Sequence, residues 1–163
     1  MGVRVLGIDP GLRLTGYAVL DVDTADPSAT PRVVEAGVFK FNEKQSVSAR
    51  LVELERDLRE LIERATPSHA AVEGLYSHYA HPMTGVIMAH ARGVVLLTLR
   101  KSGLPLMELP PTEVKKSVTG NGHASKQQVQ GAVSVVLKLA VPPEPPDVAD
   151  AMAIALCAAG RVE

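Results

Sequence analysis

Residues 146–160 read PDVADAMAIALCAAG, a helix-forming run so rich in Ala, Met, Ile, Leu and Cys that it has to lie inside whatever the chain folds into. Pro146 suits the first turn of that helix, and the VPPEPP stretch is a stiff connector that cannot be helical inside. Asp147 and Asp150 break the apolar run. Ionised carboxylates are costly in such a setting unless a cation or hydrogen-bond donors answer them. Three residues apart, the two project from one face of the N-terminal turn, where the helix dipole favours negative charge. Asp147 alone is also explained as an N-cap or first-turn acid. Asp150 resists that explanation, since it lies a turn further in and is flanked by Ala149, Ala151 and Met152.

The rest of the chain supplies a sheet and further helices. RVLGID, GYAVLDV and RVVEAGVFKF are β-rich and divided by turn signals such as DTADPSATP, which predicts an antiparallel meander. From about Asn42 to Ala65 the residues Val47, Leu51, Leu54, Leu58, Leu61 and Ile62 recur at helical spacing, with Glu55/Arg59 and Glu60/Arg64 set for i,i+4 pairing. HAAVE reads as a short strand, GLYSHYAHPMTG as a loop, and a helix runs from near Pro82 to about Lys101. Its Gly85, Ala89 and Gly93 share a face that permits close approach of another helix, within the chain or across a dimer. PLMELP is a further strand and PTEVKKSVTG a short helix. SKQQ has the form of a capping box and opens a helix with an apolar stripe of Val129, Ala132, Val133, Val136, Leu137 and Ala140.

At 163 residues this is one domain, 1–163, and 46% hydrophobic with 21% charged residues is the composition of a soluble globular chain. No apolar stretch reads as long enough to cross a bilayer, and MGVRVLGIDPG lacks the features of a secretory signal. Cys157 is the single cysteine, which excludes an internal disulfide and a cysteine-based zinc site. A cytoplasmic protein with no membrane partner is expected.

Two more acids stand where a site would be built. Asp9 closes an apolar strand before a tight Pro-Gly turn, and Glu73 closes HAAV before Gly74. Four clustered carboxylates would repel one another and raise their own pKa values unless hard cations sat among the oxygens. Mg²⁺ or Mn²⁺ meets that need through oxygen ligands. Two such ions about 3.5–4 Å apart are a recurrent device for phosphodiester hydrolysis. His78, His81, His90 and His123 are too loosely spaced to argue for zinc. The net charge of -1 gives no global sign of nucleic-acid binding, yet Arg100 to Lys138 holds six bases against two acids. That run is either a solvated face or a local binding patch.

GIDPGLRLTGYAV, AVEGLYSHYA, HARGVV, EVKKSVTGNGHASKQQVQ and DVADAMAIAL, in that order, resemble the RuvC family of Holliday junction resolvases over almost the whole chain. The resemblance implies an α/β ribonuclease H-like fold: a mixed five-stranded sheet, its first three strands antiparallel, with helices on both faces. It implies a homodimer that nicks two strands of like polarity in a four-way DNA junction, in recombination and repair, alongside a branch-migration helicase complex. By position, Asp9, Glu73, Asp147 and Asp150 would be the catalytic metal ligands, giving 5′-phosphate and 3′-hydroxyl ends. Tyr76 matches an aromatic that stacks on a base near the crossover, though it could also pack on its own loop. Lys115 and Lys126 match basic residues near the scissile phosphate, and Lys116 is their neighbour. Lys126 is also explained as a solvated first-turn lysine, while His123 lies in the same basic turn.

Several features depart from that pattern. The pI near 6.5 is low for a junction binder, Gly74 stands where many relatives carry Gln, and no basic tail follows the last helix. Alternative readings are a ribonuclease H-like nuclease for RNA or hybrids, and a non-catalytic junction-binding module. The Asp9-Pro10-Gly11 turn also resembles a phosphate loop of actin-like ATPases, whose folds need two such domains.

Overall fold

β1 (Gly2–Asp9), β2 (Leu14–Asp23) and β3 (Arg32–Lys40) form the predicted antiparallel meander in the computed structural model, which describes residues 2–74 and 81–162. β4 (His69–Glu73) joins β1 in parallel and β5 (Leu106–Leu109) joins β4 in parallel, giving the order β3-β2-β1-β4-β5. β1 is therefore central, which matches its run of fully buried residues Val5, Leu6 and Ile8.

Strand alternation divides the core in two. Leu6, Ile8, Val19, Ala70 and Val72 pack with α1 (Val47–Ala65) and α2 (Pro82–Lys101) on one face. Val5, Ala18, Leu20 and Ala71 pack on the other face with α3 (Pro111–Thr119), α4 (Lys126–Val136) and α5 (Pro146–Ala159). Because Asp9 keeps step with Val5 and Gly7, and Glu73 with Ala71, both strand-end acids belong to the α5 face.

α5 is the inner helix that its composition demands, with Ala151, Ala153, Ile154, Ala155 and Ala158 at most 1% exposed. Two glycines admit it to the sheet. A Cβ at Gly7 would collide with the Ala151 carbonyl, and one at Gly16 with the carbonyl of Asp147. The helix thus lies backbone-close across β1 and β2, with its N-terminal turn at the end of β1 that carries Asp9.

Some local readings change. α1 begins at Val47 rather than near Asn42, because Ser46 accepts a hydrogen bond from the Ala49 amide and caps it there (3.2 Å). Glu55 and Arg59 pair at 3.6 Å, but Arg64 reaches Glu35 on β3 at 2.6 Å instead of Glu60. The Ser125–Gln128 capping box forms as expected, yet α4 stops at Val136. Val129, Val133 and Leu137 are buried, while Val136 and Ala140 are exposed. α2 also corrects the bilayer expectation: by length (20 residues) and mean hydropathy (1.4) it could span a membrane. Here its Ala91, Val95 and Leu99 are buried against α1 and the sheet. Among the described residues no helix covers Ala89 and Gly93 of its small-residue face: both are exposed, and a Cβ at Gly93 would meet nothing within 4 Å.

Candidate active site

The register of the sheet builds the site. Ile8 pairs with Val72, so one step further Asp9 and Glu73 end adjacent parallel strands side by side. Asp9 also pairs with Gly16 on β2, the glycine that seats the first turn of α5. Asp147 and Asp150 lie on that turn and the next. All four acids line one cleft of about 540 Å³, together with Arg13, Lys115 and Lys126.

Their electrostatics are those of unneutralised negative charge. Burial pushes the Asp9 carboxyl well above the usual carboxylate range, and Asp150, Glu73 and Asp147 push it further. Glu73 is raised by burial and by Asp150, against the opposing pull of Lys115, Lys126 and Arg92. Asp150 is raised by burial, with Lys126 opposing at 3.9 Å. Among the described residues no three Asp, Glu, His or Cys side chains are already gathered into a metal-ligand cluster; the acids stand around an open cleft. As donors they fit a hard divalent cation: every ligand atom would be oxygen, and the four carboxylates outnumber the three cations that line the cleft with them.

The turn after Asp9 is tied down from three sides. The Thr15 hydroxyl donates to the Gly11 carbonyl (2.6 Å) and accepts from the Gly11 amide (3.1 Å). Arg50 on α1 donates to the Leu12 carbonyl (3.0 Å), and the Phe41 amide to the Arg13 carbonyl (3.0 Å). The Arg13 side chain is exposed at the cleft.

Of the predicted DNA-binding residues, Lys115 is half-buried in the cleft wall and Lys126 lies at its rim with its side chain 80% exposed. Lys116 is exposed on α3 outside the lining. Tyr76, Tyr79 and His78 lie outside the described residues. His81, His90 and His123 are exposed and none lines the cleft. Two residues received no role from the sequence. Arg13 sits inside the GIDPGLRLTGYAV stretch, where a charged residue after a strand-end acid was the available signal. Arg92, in HARGVV, is 8% exposed on an otherwise apolar helix face and binds the Glu73 carbonyl and the Glu108 carboxylate.

A mixed sheet in this order, with helices on both faces and carboxylates at the end of its central strands, belongs to the ribonuclease H-like class of α/β folds. The sequence profile of crossover junction endodeoxyribonuclease RuvC matches residues 5–158, and the chain belongs to the RuvC family. It is 46% identical over 155 residues to the crossover junction endodeoxyribonuclease RuvC of Rhodopirellula baltica, covering 94% of this chain and 84% of that one. A Synechococcus relative of the same description is 40% identical over 156 residues, covering 94% and 96%. The structure of Thermus thermophilus RuvC in complex with Holliday junction substrate superposes with a TM-score of 0.86 at 30% identity, covering 95% of this chain and 92% of that one.

Proposed function

We propose that the protein is a Holliday junction resolvase that cuts two strands of like polarity by divalent-metal-dependent hydrolysis, with Asp9, Glu73, Asp147 and Asp150 as its acting carboxylates. The observation that carries this reading is the meeting of four acids from β1, β4 and α5 in one cleft rimmed by Arg13, Lys115 and Lys126. The junction complex of the Thermus relative, similar over nearly the whole chain, supports the substrate. Mg²⁺ or Mn²⁺, two ions per site in our reading, would polarise the phosphodiester and make water a competent nucleophile at neutral pH.

The chain's own residues supply position and charge. Asp9 closes β1 opposite Gly16 and leads into a turn anchored by Thr15 and Arg50. Lys115 and Lys126 oppose the negative field of the acids and offer donors to a phosphate at the cleft. Arg13 adds a third cation to the cleft lining, from a turn held by Thr15 and Arg50. The exposed side of α2, with Met83 66%, Val86 50% and Leu97 56% exposed beside the open Gly93, is the face we assign to the homodimer. Two-fold symmetry then presents two clefts to two equivalent strands.

The test is cleavage of a synthetic mobile four-way junction, a linear duplex and an RNA/DNA hybrid, each with Mg²⁺ or Mn²⁺. Paired symmetric nicks in the junction alone, reduced on the order of 100-fold or more in Asp9→Asn, are expected. Preferential cutting of the hybrid, or nicking undiminished in the variant, overturns the reading.

A further inference from the structure

A guanidinium buried in an apolar helix face is costly to desolvate, and it persists only where acceptors of matching geometry receive it. Arg92 is such a residue: it lies between Ala91 and Val95, both fully buried, on the side of α2 that meets the sheet. Its two acceptors are on neighbouring strands. One terminal nitrogen donates to the Glu73 carbonyl, the last of β4, and the other to the carboxylate of Glu108 on β5. β4 and β5 already pair up to Glu73 and Leu109, and the Gly74 amide donates to the Leu109 carbonyl at 2.7 Å. The Glu73 carbonyl turns away from that ladder, and Arg92 holds it.

We propose that Arg92 is a positioning residue for the carboxylate cleft, clamping the ends of β4 and β5 together from α2 and so fixing the backbone on which the Glu73 side chain stands. Arg92 is the described partner of the Glu73 carbonyl, so without it the peptide unit between Glu73 and Gly74 is held from one side alone, by the bond of the Gly74 amide to the Leu109 carbonyl. The proposal rests on the reading of Glu73 as a metal-binding carboxylate.

The experiment is calorimetric titration of Mn²⁺ into the DNA-free full chain, for the wild type, Arg92→Met, Arg92→Lys and Glu108→Gln. It runs beside thermal melting and junction binding in chelator. Arg92→Met should weaken Mn²⁺ binding about 10- to 100-fold with junction affinity unchanged, as removal of a residue supporting a ligand does. Arg92→Lys, which keeps the charge but cannot span both acceptors, should recover part of the loss, and Glu108→Gln should lose less than Arg92→Met. A wild-type Mn²⁺ isotherm in Arg92→Met overturns the proposal, however far its melting temperature falls. Should Arg92→Met fail to fold, Arg92→Lys decides by the same criterion. Absence of Mn²⁺ binding by the wild type would remove the metal reading of Glu73, and with it the proposal; binding that no substitution alters removes only the role of Arg92.

Discussion

Asp9 is where burial and like charge concentrate, and its stability consequence has a definite sign. Asp9, Glu73 and Asp150 all have carboxyl pKa values raised in the folded protein. Each binds its proton more tightly folded than unfolded, so the contribution to stability is full below the ordinary carboxylate range, about pH 4, and is lost as pH rises through the raised value. The metal-free protein should therefore lose stability as pH rises above about pH 4 on account of these groups, and millimolar Mg²⁺ should restore it. Melting curves across that range check this. Asp9→Asn should flatten the pH dependence and raise the metal-free melting temperature at pH 7 by about 2–4 °C for each kcal/mol of relieved repulsion. At the cleft rim, Arg13→Ala and Lys126→Ala should each lower the slope of log junction affinity against log salt by roughly 0.7–0.9, the signature of one lost phosphate contact. Unchanged slopes would place both cations away from the DNA.

At the scale of elements, the seating of α5 on the sheet decides whether its acids reach Asp9. Gly7 and Gly16 are the contact points, and at both any side chain meets helix backbone, which cannot be moved aside cheaply. Gly16→Ala should cost about 1–3 kcal/mol and displace the turn carrying Asp147 from the end of β1. Its cleavage rate should fall even at temperatures where it remains folded. Gly93→Ala is the matched control for stability: with nothing near its Cβ in the monomer, it should hold or raise monomer stability by up to about 1 kcal/mol through helix propensity. Urea denaturation of the two variants would compare them directly, and equal losses would contradict this account of the interface.

For the whole molecule, a net charge of -1 leaves junction binding to a local arrangement of cations around an acidic cleft. Binding should thus be strongly salt-sensitive, and stronger with divalent cation than without. The exposed face of α2 governs self-association in the proposed dimer. Leu97→Glu places a charge at a position 56% exposed in the monomer, so folding should be undisturbed while self-association is lost. Sedimentation should then give a monomer, and paired nicking of a junction should give way to sparse single nicks. A Leu97→Glu protein that sediments like the wild type would move the interface elsewhere.

Much of the fold was legible in the sequence because its signals are local. The 3.6-residue stripe of α1, the capping box of α4 and the Pro146 start of α5 are fixed by backbone geometry within a few residues. The strand readings of RVLGID and HAAVE likewise place Asp9 and Glu73 at strand ends. Periodicity could not say that the two acids share a face, that β4 lies beside β1, or that Gly16 receives Asp147; those follow from strand register and from which helix fills which side of the sheet. The same limit explains Arg64, which prefers Glu35 on a folded neighbour to Glu60 on its own helix. It also explains Arg92, whose carbonyl and carboxylate partners become adjacent only once β4 and β5 pair. Residue types and local spacing thus determined the elements and the chemistry available to them, whereas tertiary packing alone chose the partners, because contacts between distant segments are decided by how whole surfaces fit.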